Sequence, residues 1–226
     1  MICILQARIS SKRLPKKVLK KINNRSILER VINRLKRSKE IKKIIVATSV
    51  SVDDNSIVNF CKKNKISYYK SNLNNVFLRY YETIKFYNIR NFVRITADSP
   101  LIDPEIVDKA IRLFKKNKAD IVTNTFRRSY PKGQSVEIIN SNLILNNLHN
   151  ISKSRSYKEH ITSYFYANEK KFKIYNFSLK KNLSSINLSV DTLSDFDCIK
   201  KIIKLSNDRY IGLNMLINTY NRIKKL

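Results

Sequence analysis

A short stretch near the N-terminus has the residue types that bind a polyphosphate. Residues 7–19 read A-R-I-S-S-K-R-L-P-K-K-V-L and carry five cations and two serines directly after an apolar run. Lys and Arg side chains, together with backbone N–H groups at a strand end, often bind phosphate in α/β proteins. The stretch is not a Walker loop, because it lacks the G-x-x-x-x-G-K-[ST] pattern and contains no glycine. It predicts a triphosphate site held by Arg8, Arg13 and Lys17, with Ser11 supporting the loop by hydrogen bonding.

Two aspartates are the candidates for binding a metal. Asp98 and Asp191 each end a run that has the composition of a strand. Ligands of open α/β sheets bind beyond the carboxyl ends of the strands. There, one or two carboxylates and the phosphate oxygens of a substrate are the usual ligands of Mg²⁺. Each aspartate has an alternative role as the cap of the helix that follows it, although Asp103 and Thr192 are competing caps.

The elements that must position these residues alternate between strands and helices. Strand-like runs are predicted at residues 2–5, 44–47, 67–69, 92–95, 120–123 and 186–191. The helix starts are predicted from capping pairs, which are Ser26 with Glu29, Asp103 with Pro104 and Thr192 with Asp195. A last amphipathic helix is predicted from about Leu213 to Leu226. This alternation predicts an α/β fold, a mostly parallel sheet with helices on both faces.

The alternation stops between about Thr125 and Ser178, where strand-like and helical pieces are mixed. We interpret this segment as an inserted α+β excursion of a single domain spanning residues 1–226, because no linker or repeat divides the chain. It is rich in aromatic residues, a type enriched at interfaces; they are Phe126, Tyr130, Tyr157, Tyr164, Phe165 and Tyr166. The excursion is therefore predicted to cover the site and to contribute to a homodimer.

Composition limits the classes of protein to consider. The chain has 226 residues, with 46 Lys+Arg against 17 Asp+Glu and a formal net charge of +29. Such a charge is typical of nucleic-acid-binding proteins, so a basic nucleic-acid-binding module is an alternative. No basic run is interleaved with aromatics as a stacking platform would be, and Lys, Asn and Ile are abundant throughout. We therefore attribute the positive net charge to biased residue usage rather than to a nucleic-acid partner.

The cysteines and the apolar runs indicate the cellular compartment of the protein. Cys3, Cys61 and Cys198 are widely separated and odd in number, which is typical of reduced, buried thiols in a cytoplasmic protein. No run has the length of a transmembrane helix or the form of a signal peptide. The sequence predicts a cytoplasmic protein without a membrane partner.

Four motifs resemble those of one enzyme family. They are A-R-x-x-S-x-R-L-P-x-K-x-L from Ala7, T-A-D-S-P-L-I-D-P from Thr96, E-H-x-T-x-Y from Glu159 and S-V-D-T-x-x-D-F from Ser189. Together they resemble the cytidylyltransferases that activate sugar acids as CMP conjugates, which include the CMP-Kdo and acylneuraminate synthetases. The resemblance is nearest to the branch named after spore coat polysaccharide protein F, and it extends from Ile4 to about Phe196.

The resemblance implies a Rossmann-like fold and a specific reaction. CMP would pass from CTP to a sugar acid or related anionic acceptor, with release of pyrophosphate, for surface polysaccharide or glycan biosynthesis. A phosphorylated or phosphonate acceptor is an alternative. The implied roles are Mg²⁺ binding for Asp98 and Asp191, catalysis for these two with Arg8 and Lys17, nucleotide binding for Ala7, Arg8, Ser11, Arg13, Lys17, Thr48, Ser49 and Arg79, and acceptor binding for Glu137 and His160.

Two features bear on this resemblance. The family usually has glycine at the position of Lys16, and an L-residue adopts a positive φ only at a cost. The turn is therefore expected either to use a negative φ or to be distorted. A nucleotide-sugar glycosyltransferase is a less favoured alternative, because the D-x-D sequence at Asp195–Asp197 falls inside a predicted helix rather than at a strand end.

Overall fold

Nine strands occur in residues 1–224, the part of the chain that the computed structural model describes. They are β1 (Ile2–Gln6), β2 (Lys21–Ile22), β3 (Arg25–Ser26), β4 (Lys43–Ser49), β5 (Ser67–Ser71), β6 (Asn91–Thr96), β7 (Ile121–Thr123), β8 (Glu137–Asn140) and β9 (Ile174–Asn176). Seven of them form one sheet in the order β5-β4-β1-β6-β8-β7-β9, while β2 and β3 pair separately.

The central strand β1 sets the edge at which a ligand can bind. It pairs in parallel with β4 and β6, and Gln6 lies opposite Ala47 and Thr96. The chain therefore leaves these three strands at the same edge of the sheet. The pairings β4 with β5 and β7 with β9 are also parallel, whereas β8 runs antiparallel to β6 and β7. The predicted mostly parallel α/β sheet is confirmed.

Ten α-helices connect or cover the strands within the described residues. They are α1 (Ile27–Leu35), α2 (Asn55–Lys63), α3 (Val76–Tyr87), α4 (Pro104–Asn117), α5 (Ser141–Asn146), α6 (Leu148–Ser152), α7 (Arg155–Glu159), α8 (Ser163–Ala167), α9 (Leu193–Leu205) and α10 (Leu213–Lys224). Short 3-10 helices lie at Lys17–Leu19, Val52–Asp54 and Glu169–Lys171. The last two residues of the helix predicted to end at Leu226 lie outside the described residues.

The predicted helix starts are confirmed by their caps. Ser26 Oγ accepts a hydrogen bond from the Glu29 N–H at the start of α1. Asp103 caps α4, which has proline at its first position. Thr192 and Asp195 form a complete capping box at the start of α9. Each side chain satisfies backbone N–H groups that a helix leaves without partners in its first turn.

The core lies on both faces of the sheet. Successive strand residues point to opposite faces, and Ile4 and Leu5 accordingly belong to two different buried clusters. Leu5 packs in the cluster that contains residues of α1 and α4, whereas Ile4 packs in the cluster that contains residues of α3. Cys3 and Cys61 are buried free thiols, as predicted, while Cys198 is half-buried. No helix within residues 1–224 combines the length and apolar character needed to span a bilayer.

The prediction of a sheet strand at residues 186–191 was wrong. This segment forms a single bridge, between Asn187 and Lys132, and takes no part in the sheet. Its alternating residues Ile186, Leu188 and Val190 are buried in a third cluster, together with residues of α9 and α10. The alternation therefore correctly indicates that one face of the segment is buried. That face packs against helices, whereas a sheet strand would also pair with its neighbours.

The predicted excursion at about 125–178 is more closely integrated than expected. Strands β8 and β9 fall inside it and complete the central sheet, so only the helices α5 to α8 leave the sheet. Several of its aromatic side chains pack against other residues of the same chain. Tyr130 and Phe165 are buried, and the ring of Phe126 stacks on that of Tyr166. The homodimer stays a prediction, with fewer free aromatics to support it.

Candidate active site

A cleft of about 880 Å³ opens at the carboxyl edge of β1 and β6. Eight of the residues predicted to bind substrate or metal line it, namely Ala7, Arg8, Ser11, Arg13, Lys17, Asp98, His160 and Asp191. Residues from the stretch 7–19, called the phosphate loop below, thus share one space with residues from the end of β6, from α7 and from the loop before α9. Four other predicted residues, Thr48, Ser49, Arg79 and Glu137, do not line this cleft.

Lys17 lies between the two candidate metal ligands. Its Nζ is 3.1 Å from Asp98 Oδ2 and 2.9 Å from Asp191 Oδ1. Burial alone would lower the pKa of Lys17, but the two carboxylates outweigh burial and hold that pKa above its usual value. Lys17 is therefore a charged ammonium shared by both aspartates.

The two carboxylates are held close together by their surroundings. Asp98 accepts hydrogen bonds from Thr96 Oγ1 and Ser99 Oγ, and its backbone carbonyl accepts one from the Val190 N–H over 2.8 Å. Burial raises the pKa of Asp191, but Lys17 and Arg13, the latter 3.1 Å away, outweigh burial and lower that pKa overall. Asp191 is therefore ionised at neutral pH and faces cations on two sides.

Helix capping does not account for either aspartate. Asp103 is the N-cap of α4 and Thr192 is the N-cap of α9, so other residues fill the role that was the alternative for Asp98 and Asp191. Both aspartates instead point their side chains at Lys17 in the cleft. Their carboxylates therefore face the cleft and already bind a cation, the Lys17 ammonium.

The phosphate loop keeps a left-handed turn at Lys16. This residue has φ 55° and ψ 25°, and its carbonyl accepts a hydrogen bond from the Leu19 N–H over 2.9 Å. The expectation of a negative φ at this position was therefore wrong, because Lys16 adopts the left-handed conformation for which glycine is best suited. Ser11 Oγ accepts a 3.4 Å hydrogen bond from the Leu14 N–H, which agrees with the supporting role expected for Ser11.

A buried aspartate that the sequence analysis missed anchors the start of this loop. Asp54 is 1% exposed. It accepts hydrogen bonds from the Ile9 N–H over 2.6 Å, from the Ser49 N–H over 3.1 Å and from Ser49 Oγ. The Ser49 hydroxyl is thus directed at Asp54 rather than at the cleft, and Thr48 is also fully buried. No local motif marks Asp54, because Ile9 is 45 residues away in the chain.

Arg79 lies behind the wall of the cleft. Its guanidinium is fully buried and donates to the carbonyl oxygens of Asn72 and Leu73 over 2.8 and 2.9 Å. Leu73 and Asn74 line the cleft, so Arg79 fixes the wall through its backbone. Burial lowers the pKa of Arg79.

Glu137 is the centre of a buried polar network next to the cleft. It forms an ion pair with Arg94, a β6 residue that the sequence analysis missed, and accepts hydrogen bonds from Tyr166 and Thr125. Burial raises the pKa of Glu137, but Arg94 and hydrogen bonds from Tyr166 and Thr162 outweigh burial and lower that pKa overall. In this arrangement Glu137 is occupied by protein partners, whereas His160 is exposed at the cleft.

The comparison with known proteins decides the family. A family model described as cytidylyltransferase matches residues 2–222. The chain belongs to the cytidylyltransferase family. As a member of it, the protein is a CTP-dependent nucleotidyltransferase, and the resemblance noted in its motifs is confirmed.

One solved cytidylyltransferase structure and two other relatives match this chain over most of its length. A solved cytidylyltransferase structure from Leptospira borgpetersenii has a TM-score of 0.87 and 32% identity, covering 99% of this chain and 94% of the other. The spore coat polysaccharide biosynthesis protein SpsF of Bacillus subtilis is 25% identical over 98% of this chain and 94% of its own length. An uncharacterised protein of Methanocaldococcus jannaschii is 36% identical over 87% of this chain and 80% of its own.

Proposed function

We propose that this cytidylyltransferase transfers CMP from CTP to a sugar acid or a related anionic acceptor, for surface polysaccharide or glycan biosynthesis. The observation that carries the proposal is the group formed by Arg13, Lys17, Asp98 and Asp191 at one end of the cleft. Cations suited to a triphosphate and carboxylates suited to a divalent ion meet there. The spore coat relative supports the polysaccharide role by its name.

The reaction breaks one bond and forms one. An acceptor oxygen attacks the α-phosphorus of CTP, and the bond from that phosphorus to the oxygen bridging to the β-phosphate breaks. The electron pair leaves with pyrophosphate, so charge accumulates on the leaving group. Lys17 and Arg13 stabilise this charge because they are cations that line the cleft. Arg8 lies 4.0 Å from Glu159 across the cleft and adds a further cation.

A Mg²⁺ ion belongs to this proposal, and the residues fit it. Asp98 and Asp191 converge on one position, which a cation, the Lys17 ammonium, takes in this structure. Within residues 1–224 no group of three or more His, Cys, Asp or Glu residues surrounds a metal position. Two carboxylates suit Mg²⁺, which takes its remaining ligands from water and substrate phosphates. Asp98 and Asp191 would hold the ion, and Mg²⁺ when bound neutralises charge on the phosphate oxygens.

The acceptor is proposed to be anionic because its side of the cleft is basic. Arg155 and His160 line that side, next to the ion pair of Arg8 with Glu159. A sugar acid would place its carboxylate near these residues, and they also suit a phosphonate or phosphate. A phosphate or phosphonate acceptor is already ionised and needs no strong base. The attacking hydroxyl of a sugar acid would lose its proton to solvent, its acidity raised by Mg²⁺ when bound.

The experiment that tests the proposal has two stages. Thermal unfolding is measured with CTP, UTP, ATP and GTP, each with Mg²⁺, and CTP is expected to raise the Tm most. Pyrophosphate release is then measured with CTP, Mg²⁺ and a panel of sugar acids, phosphonates and neutral sugars. A larger Tm increase with UTP or ATP would overturn the base specificity, and turnover with neutral sugars alone would overturn the anionic acceptor.

A further inference from the structure

A second cavity, of about 130 Å³, lies between α1 and the segment that follows α9. It shares no lining residue with the active-site cleft. Five arginines line it, which are Arg25, Arg30, Arg34, Arg37 and Arg209. Among the described residues that line it, Asp208 is the single carboxylate. Five positive charges and one negative charge leave a net charge of +4, although nothing in the proposed reaction requires cations here.

Two of these arginines form the floor of the cavity. Arg30 and Arg34 are each 8% exposed. Arg34 donates to the carbonyl oxygens of Ile102 and Ile211 over 3.2 to 3.3 Å, and neither acceptor carries a charge. Burial, reinforced by the charges of Arg37 and Arg30, lowers the pKa of Arg34 to about 10.

Arg30 forms an ion pair, but one of its hydrogen-bond donors has no acceptor. Its Nη1 pairs with Asp208 and its Nη2 donates to the Ile22 carbonyl. Its buried Nε has no hydrogen-bond partner among the described residues. A buried charged donor without an acceptor is costly, so the contacts within the protein satisfy the charge of Arg30 only in part.

Three exposed arginines form the rim. Arg25 is 3.7 Å from Asp208, the carboxylate that Arg30 also uses. Arg37 stacks on the ring of Tyr210 at 4.5 Å, while Arg34 lies 4.9 Å from the same ring centre. Tyr210 therefore contacts two guanidinium groups, and the positive charge of Arg37 lowers the pKa of Arg34, which is the effect of like charges on one another.

We propose that this arginine pocket binds a phosphate-type oxyanion. Guanidinium groups donate paired N–H bonds that match the oxygens of phosphate, and the net charge of the lining suits a ligand with more than one negative charge. The volume of about 130 Å³ would hold about four waters at ~30 Å³ each. That space suits one or two phosphate groups. The oxyanion is either free phosphate or pyrophosphate, or the phosphate group of a larger molecule.

Calorimetric titration with inorganic pyrophosphate, without divalent metal and at 0.15 M salt, tests the proposal. The wild-type protein is expected to show two binding sites. The double variant Arg37→Gln with Arg209→Gln is expected to lose one of them, with at least about a tenfold drop in its affinity. Lys17→Ala is expected to lose the other site, which is the one in the cleft.

The control is a double variant that removes the same charge elsewhere. Arg90 and Arg222 are exposed and do not line the pocket, so Arg90→Gln with Arg222→Gln is expected to keep both sites. A thermal scan with inorganic phosphate adds a second readout. The pocket variant is expected to melt higher than wild type without anion, because repulsion is relieved, and to respond less to phosphate.

Three outcomes would overturn the proposal. One is a single pyrophosphate site that Lys17→Ala removes and the pocket variant leaves intact. Another is an equal loss of binding in the pocket variant and in the control, which would show that only overall charge matters. The third is a pocket that binds an RNA oligonucleotide but neither phosphate nor pyrophosphate. Binding of pyrophosphate with no binding of inorganic phosphate would support the proposal and identify a diphosphate as the ligand.

Discussion

The Oδ1 atom of Asp54 accepts a 2.6 Å hydrogen bond from the backbone N–H of Ile9. The other carboxylate oxygen accepts from the N–H and hydroxyl of Ser49, the last residue of β4. One buried side chain thus joins the start of the phosphate loop to the end of the neighbouring strand. The position of the loop depends on this carboxylate as well as on its own sequence.

Asp54→Asn is expected to destabilise the protein and to weaken catalysis. An amide replaces one acceptor oxygen with a donor, which leaves a buried N–H without a partner at a cost of about 1–3 kcal/mol. Urea unfolding measures the loss of stability, and CTP-dependent pyrophosphate release measures the displacement of the loop. Asp53→Asn is the control, because Asp53 is exposed and adjacent. Equal stability of the two variants would contradict the anchoring role.

Asp98→Asn and Asp191→Asn are each expected to reduce turnover by at least about a hundredfold. Each removes a charge from the proposed metal position without changing side-chain volume. The double variant is expected to lose little more than either single one, because the two act as a unit. Pyrophosphate release measures the activity of each variant, and near-UV circular dichroism shows whether its tertiary fold is retained. Asp197→Asn, at an exposed position of α9, is expected to be fully active; near-normal Mg²⁺-dependent turnover by Asp98→Asn would refute the metal site.

Lys16→Gly is expected to stabilise the protein. A left-handed backbone costs an L-residue about 1–2 kcal/mol, whereas glycine loses about 0.5–1 kcal/mol through the entropy of the unfolded chain, so the net gain is about 0.5 kcal/mol. Chemical denaturation measures it. Lys12→Gly, in the same loop but without a positive φ, is the control and is expected to destabilise. If both variants lose stability equally, the turn at Lys16 stores no strain.

Glu137→Gln is expected to cost about 3–5 kcal/mol of stability near neutral pH, because it leaves the Arg94 charge buried without its partner. The pKa of Glu137 is lowered in the folded state from its ordinary value of 4.5. Its stabilising contribution is therefore fully present above about pH 4.5 and is lost as the pH falls through the folded pKa. Urea unfolding at several pH values is expected to show the wild type and the variant converging in acid. A difference independent of pH would show that the carboxylate charge is not the cause.

Local signals account for the parts of the fold that the sequence predicted correctly. The start of α9 depends on Thr192 and Asp195, which lie within one helical turn, so a short pattern determines it. By contrast, the alternation of Ile186, Leu188 and Val190 records that one face is buried but not which element covers it. The same pattern serves a sheet strand and an extended segment packed on helices, which explains the wrong strand prediction.

In the candidate site, too, residues within short motifs could be predicted and residues that depend on distant partners could not. The phosphate loop and the two aspartates were recognisable because their residue types are contiguous or follow short motifs. Asp54, Arg79 and Arg94 were missed or misplaced because each depends on a partner that is not in a short motif with it. For Asp54 that partner is a backbone N–H, and no side-chain pattern specifies a backbone donor 45 residues away.

The hydrogen bond from the Val190 N–H to the Asp98 carbonyl has a consequence for how this enzyme can diversify. It joins the two main-chain segments that carry the carboxylates, so their separation does not depend on the length of chain between them. Insertions or deletions in α5 to α8, which lie in that intervening stretch, can therefore be tolerated without moving one aspartate relative to the other. The proposed acceptor side can then change while the two aspartates keep their relative positions.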